Sequence, residues 1–245
     1  MKKISLFLLA LCICASFCSS CTQNKKETKV LLITGGHDFD GESFFQMMDK
    51  LPAISYTRVE HPNAYEHLKP GQIDRYDVVL LYDMPKEIPD EAKADFVGML
   101  EKGKGLVVLH HSICSYDGWP EYKKIVGGRF NHYPWEKDGE TQRPSTFKIN
   151  VPMDIKVIDK DHPVTKGVKD FRVIDEAYNG TEILGDIIHP LLGTDAPESG
   201  PLICWTNNYA NAKVVAFTLG HDKQVWENPS FTRILSQAID WVGKK

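Results

Sequence analysis

The sequence predicts an α/β fold: a doubly wound, mostly parallel sheet with an elaborated, partly antiparallel middle. Short runs rich in Val, Ile and Leu recur with glycine at their ends, the pattern of strands buried on both faces of a parallel sheet. These runs alternate with stretches of helical period along most of the chain. Three runs also stop on a histidine: Val30 to His37, Gly105 to His111, and Val214 to His221. In open α/β sheets ligands bind just beyond the carboxyl ends of the strands, so distant segments deliver imidazoles to one edge.

The elements follow in order. Val30–Thr34 is the first strand, and Gly35-Gly36 leads to a helix over Glu42–Leu51 with Phe44, Phe45, Met48 and Leu51 inward. Ile54–Val59 is a second strand and Val78–Tyr82 a third, ending at Asp83. Pro89 suits a first helical position, Phe96, Val97 and Leu100 continue the apolar face, and Gly103 stops it. Gly105–His110 is the fourth strand, and Trp119–Val126 a short helix closed by Gly127-Gly128. From Arg129 to about Thr206 alternation weakens; Thr146–Ile149, Ile155–Ile158, Phe171–Ile174 and Leu202–Trp205 read as shorter strands. Lys213–Leu219 is the last strand. Asn228-Pro229 then opens a helix with Phe231, Ile234, Leu235, Ala238, Ile239 and Val242 on one stripe.

The N-terminus reads differently. Lys2 and Lys3 precede an apolar stretch from Ile4 to Phe17, then Cys18-Ser19-Ser20-Cys21, the layout of a secretory signal. That stretch is short of the roughly 20 apolar residues a spanning helix needs. Ser19-Ser20-Cys21 resembles a bacterial lipobox, with Cys18 where leucine is usual. The expectation is a signal over 1–20, lipidation at Cys21, a tether over 21–29 and one domain over 30–245. It places the protein outside the cytoplasm, held by a lipid anchor in the bacterial cell envelope. Four of the six cysteines fall at or before Cys21, leaving Cys114 and Cys204 to pair or to stay as buried thiols, with no CxxC zinc pattern. The formal charge of −4 becomes −6 without Lys2 and Lys3, and no dense Lys/Arg block is present, which argues against nucleic acid.

His37, His111 and His221 are the leading chemical candidates. Side chains alternate along a strand, so His110 and His111 cannot both face the cleft, and His111 is nearer the strand end. Asp38 follows His37, Asp222 follows His221, and Asp175-Glu176 ends the Phe171–Ile174 run. Imidazoles with a carboxylate suit Zn²⁺ or Mn²⁺, and His111, Glu176 and His221 are the expected ligands. The metal-free alternative is a His–carboxylate base with a second imidazole as acid. Cys114, three residues after His111, is the rival nucleophile. Tyr82, Trp119 and Arg129, with Asp222, are candidate substrate contacts; Arg129 alternatively caps local carbonyls. Trp135 is among further aromatics suited to sugar faces or to packing, and Asn179-Gly180-Thr181 matches a glycosylation sequon that marks a turn.

These fragments resemble the ThuA-like family, named for trehalose utilisation. They are Thr34-Gly35-Gly36-His37-Asp38-Phe39, His110-His111-Ser112, Trp119-Pro120-Glu121-Tyr122, Val126-Gly127-Gly128-Arg129-Phe130, Asp161-His162-Pro163-Val164-Thr165, Asp175-Glu176, His189-Pro190-Leu191-Leu192 and Leu219-Gly220-His221-Asp222. The resemblance implies a class I glutamine-amidotransferase-like, flavodoxin-type fold. Amidotransferases carry a nucleophilic cysteine on an elbow after the strand corresponding to Gly105–Leu109; here His110-His111-Ser112 stands there, and His221 occupies the base position. The resemblance implies carbohydrate catabolism and pathways handling 3-keto sugars. The expected function is an enzyme acting on a disaccharide or 3-keto glycoside through His37, Asp38, His111, Glu176 and His221. No nucleotide cofactor is expected. The alternatives are a carbohydrate-binding lipoprotein without catalysis and a Cys114-dependent hydrolase.

Overall fold

A computed structural model describes residues 26–244. The expected signal over 1–20, Cys21 and the first half of the tether lie outside the described residues. Its end differs from expectation, because β1 (Thr28–Gly35) already begins at Thr28. The chain continues through α1 (Gly41–Asp49), β2 (Ile54–Glu60), α2 (Ala64–Leu68), β3 (Val78–Asp83), α3 (Asp90–Glu101), β4 (Gly105–Leu109) and α4 (Pro120–Val126). The middle holds β5 (Gly128–Arg129), β6 (Trp135–Lys137), β7 (Glu140–Gln142), β8 (Thr146–Val157), β9 (Phe171–Asn179), β10 (Glu182–Ile183), β11 (Ile188–Thr194) and β12 (Leu202–Tyr209). β13 (Ala212–Phe217), α5 (Lys223–Trp226) and α6 (Pro229–Val242) close the chain.

The nine-stranded main sheet has the order β2-β1-β3-β4-β13-β12-β11-β8-β9. The first five strands are mutually parallel and the last four add antiparallel. Side-chain alternation splits β1 between two cores: Val30 and Leu32 face Phe44, Trp226 and Ile234, whereas Leu31 and Ile33 face Phe96, Tyr122 and Ile125. Helices α1, α5 and α6 therefore cover one face, and α2, α3 and α4 the other.

Helix α6 shows how local sequence sets an element. The Asn228 side chain accepts from the backbone N–H groups of Ser230 and Phe231, and Pro229 fills the first turn. Phe231, Ile234, Leu235, Ala238, Ile239 and Val242 are buried on one stripe. Each large member contributes about 2 kcal/mol of apolar burial before entropy is counted. Helix α4 likewise starts at Pro120 and ends on Gly127, whose φ of 80° makes a left-handed cap.

The middle departs from expectation in three places. The two short strands expected at Thr146–Ile149 and Ile155–Ile158 are one strand, β8, with a register shift between Lys148 and Val151 and Asn150 at φ 55°. The polar interruption and Pro152 hid that continuity, since a bulge breaks the period of two. Strand β9 runs on past Ile174 to Asn179, because Asp175 and Glu176 are buried against other groups instead of ending the strand in solvent. Strand β11 and the short helix α2 were not foreseen, and Pro190 inside β11 masks its strand character. In the parallel half the fourth strand stops at Leu109, one residue short of His110.

A Cβ at Gly127 would lie 2.3 Å from Ile188 Cγ2, in a backbone conformation that side chains rarely adopt. Gly127→Ala is expected to destabilise the fold by about 3 kcal/mol, read as a lower denaturant midpoint in an unfolding titration.

Candidate active site

The site begins where β4 ends. His110 leaves the strand at φ 51° and starts a 3-10 turn over His110–Cys114, so the chain bends sharply and the alternation of a strand no longer applies. The bend turns the His110 imidazole into the interior, where it is fully buried. Its Nδ1 lies 2.7 Å from the carbonyl oxygen of Thr218, just past β13. A carbonyl only accepts, so Nδ1 carries a proton, and Nε2 is left either with a lone pair or with a second proton for Glu176. Gly220 lets this packing close: a Cβ there would lie 3.3 Å from His110 Cβ, at a φ of 127°.

Nε2 faces the Glu176 carboxylate. Glu176 Oε2 is 3.0 Å away, and the same oxygen is 3.5 Å from His221 Nδ1. One ligand atom from each of these three residues lies within 4.8 Å of the other two. Tyr178 stacks on the His110 ring at 4.8 Å and brings its hydroxyl to 3.1 Å from Nε2. Burial alone would raise the Glu176 carboxyl, but the hydrogen bond and charge of His110, with His221, bring it below its ordinary value. Asp175 faces the other way, accepting from the backbone N–H groups of Gly220 at 2.7 Å and His221 at 3.0 Å. That clamp fixes the loop carrying His221, although burial pushes Asp175 up to about 6.

Nε2 and a carboxylate aimed at each other need a cation between them, a proton or a metal ion. Ligand atoms around tetrahedral Zn²⁺ are about 3.4 Å apart, from bond lengths near 2.1 Å. The 3.0 and 3.5 Å separations to Glu176 bracket that figure, and the third pair lies within 4.8 Å. The Thr218 carbonyl supplies the outer hydrogen bond that metal-ligating histidines usually make. The donor set therefore fits a divalent ion, with His110 in the place that the alternation argument assigned to His111.

His111 is also buried, and both its ring nitrogens lack hydrogen-bond partners. It stacks on His37 at 4.6 Å and packs 4.3 Å from the Tyr82 ring. Burial lowers its pKa well below 6.5, and His110 and His37 lower it further. His221 is lowered too, first by burial and then by His110. The rings of His37, His111, His110 and His221 thus form a chain of contacts at 4.6, 5.5 and 5.3 Å.

The remaining candidates divide. Asp38 is exposed beside His37. Asp222 is half-buried and caps α5, accepting from the Gln224 N–H at 2.8 Å. Tyr82 is buried, stacks on Phe44 and donates to the Gly220 carbonyl at 2.9 Å. Trp119 is buried against Phe96 and Tyr122. These two expected substrate contacts are corrected to packing residues, because their rings are enclosed by core neighbours. Arg129 donates to the carbonyls of Tyr116 and Trp119, which is the capping alternative. Cys114 and Cys204 are free and buried, and burial pushes the Cys114 thiol up, so it is no activated nucleophile. The sequence reasoning missed Tyr178, Thr218 and the buried His61–Asp83 pair at 2.7 Å. Asp83 at a strand end was the available signal for that pair.

Fold and site together define a class: a glutamine-amidotransferase-like α/β protein whose elbow carries histidine in place of cysteine. The sequence model of the trehalose utilisation family, ThuA, matches residues 29–242, and the chain belongs to that family, which gives it a carbohydrate-related role. Solved structures agree on the fold. A ThuA-like protein from Parabacteroides merdae ATCC 43184 is 21% identical with a TM-score of 0.72, covering 89% of this chain and 91% of its own. One from Bacteroides uniformis ATCC 8492 is 18% identical with a TM-score of 0.63, covering 89% and 92%. A Salmonella typhimurium protein is 16% identical with a TM-score of 0.61, covering 89% and 100%. No curated protein matches the chain. The expectation of export and lipid anchoring in the envelope is corrected here: the Salmonella protein and a second from that organism are named cytoplasmic proteins, which points away from the envelope.

Two outcomes are expected. Protein equilibrated with Zn²⁺ or Mn²⁺ and then desalted retains one ion per chain by elemental analysis; His110→Ala or Glu176→Gln lowers retention at least tenfold, whereas His111→Ala retains it. The second concerns pH. A histidine whose folded pKa is depressed contributes stability that is present above about 6.5 and lost as pH falls through that value toward the folded one. Metal-free protein should lose stability from pH 7 to pH 5, and His111→Gln should flatten that slope in denaturant titrations.

Proposed function

We propose that the protein is an enzyme of carbohydrate catabolism that removes a proton beside the ketone of an oxidised disaccharide or 3-keto glycoside. One observation carries this reading: one ligand atom each from His110, Glu176 and His221 converge within 4.8 Å at the carboxyl edge of the sheet. The family supplies the carbohydrate context. A protein that only binds sugar needs hydrogen bonds and flat apolar surfaces, and gains nothing from histidines kept neutral by burial.

A ketone at C3 acidifies the C2–H bond. His221 is 30% exposed at its side chain, and its lowered pKa leaves it neutral near pH 7, so its free ring nitrogen takes the C2 proton. Glu176 holds the other nitrogen and stabilises the imidazolium that forms. The electron pair moves to the C3 oxygen, giving an enediolate. In the alternative arrangement a divalent ion on the three donors would supply Lewis-acid polarisation of that carbonyl; it would take the Nδ1 lone pair of His221 and leave the proton on the other ring nitrogen, so His221 would then not be the base. Delivery of the proton to C3, with the O2 hydroxyl proton passing to O3, gives isomerisation to the 2-keto sugar. Departure of the C1 glycosidic oxygen with its bonding electrons, protonated as it leaves, gives elimination, and addition of water then completes net hydrolysis.

The test is solvent exchange. Purified protein, with Zn²⁺ or Mn²⁺ added, should exchange the C2 proton of a 3-keto glycoside for deuterium in heavy water, followed by proton NMR. His221→Ala and Glu176→Gln should slow exchange at least 100-fold, whereas Cys114→Ser should leave it unchanged. No exchange and no turnover, with or without metal, would reject the reading.

A further inference from the structure

We propose that the cleft between the β6–β7 ribbon and the turn joining β9 to β10 holds the second sugar ring of the substrate. This rests on the sugar-processing reading above and adds where the rest of a two-ring substrate is bound. The cleft encloses about 670 Å³, and its lining includes Trp135, Gln142, Arg143, Asn179, Thr181 and Glu182.

Two polar atoms in this lining point to a ligand. The indole Nε1 of Trp135 and the hydroxyl of Thr181 are both shielded from solvent and have no hydrogen-bond partner. An indole N–H only donates, whereas a hydroxyl both donates and accepts. Leaving such groups unpaired costs about 1–3 kcal/mol each, and a polyhydroxylated ring satisfies both. The apolar groove between α1 and α6, lined by Met47, Leu51 and Trp226, contains no such orphaned atom among the described residues.

The other lining groups suit the same ligand. The flat face of Trp135 matches the C–H face of a pyranose, and Gln142, Arg143 and Asn179 offer amide and guanidinium groups to its hydroxyls. Glu182 is held from outside the cleft by Lys123 at 2.7 Å and Asn131 at 3.3 Å. Gly180, at φ 70°, makes the turn that carries Thr181 to the rim. This is the structural content of the Asn179-Gly180-Thr181 sequence.

Position links the cleft to the chemistry. Tyr178 stacks on His110, and Gly180, two residues on and on the same side of the chain, lines the cleft. From Glu176 to Gly180 the chain advances about 13 Å, the scale of two linked sugar rings. One ring then meets the histidine cluster while its partner lies against Trp135. A methyl glycoside fills only the first position.

The experiment compares two substrates and two readouts. Trp135→Ala and Thr181→Val should raise KM for a 3-keto disaccharide about tenfold with little change in kcat, and leave both constants for the 3-keto methyl glycoside unchanged. Equal losses on both substrates, or no loss on either, would overturn the proposal. Binding is read separately: titrating the intact protein with the disaccharide should quench tryptophan fluorescence, and Trp135→Phe should abolish that quench. Saturable quenching without turnover would leave the cleft standing and remove the catalytic reading. Turnover that ignores Trp135 and Thr181 would do the reverse.

Discussion

The His110 imidazole ties together three segments that the chain order keeps far apart. One ring nitrogen is bonded to the Thr218 carbonyl beyond β13, the other faces Glu176 on β9, and the residue itself ends β4. It is fully buried, so each of those polar atoms must be satisfied or the fold loses stability. Its positive φ costs roughly 1–3 kcal/mol, which the surrounding bonds offset. It adds a buried side-chain tie to the β12–β13 ladder and the Asp175 bonds that already join the two halves of the sheet.

The two halves contribute differently. The parallel half supplies loops that all open at one edge, and these deliver His37, His111 and His221. The antiparallel half supplies the acids. Its strand β9 places Asp175 on the backbone of Gly220 and His221, and Glu176 on the imidazoles, from one strand with opposite-facing side chains. A further set of buried bonds locks the flank of the site: the Trp205 indole donates to the Val126 carbonyl, and the Asn207 amide to the carbonyls of Lys124 and Ile125. Those bonds satisfy the exposed end of α4 and hold the segment leading to Arg129.

The turn after β4 presents an imidazole where the resemblance to amidotransferases implies a thiol, and the nearby Cys114 thiol is buried and held protonated. A strand-to-helix elbow aims one side chain with little freedom. The same backbone device therefore serves a ligand or acid–base group as readily as a nucleophile.

The sequence by itself determined the parallel half, because buried strands write continuous apolar runs and helices write a period of 3.6. It also determined that histidines gather at the carboxyl edge, since strand ends and edge coincide in such sheets. Only the tertiary structure decided which histidine meets Glu176. Alternation along a strand favoured His111, but the backbone leaves the strand at His110, and the period of two ends there. Strand β9 was legible only to Ile174, because Asp175 and Glu176 look like solvent-facing residues until the loop after β13 is packed against them. Their burial is paid for by partners roughly 45 residues or more away, and no local pattern in the chain records a partner at that distance.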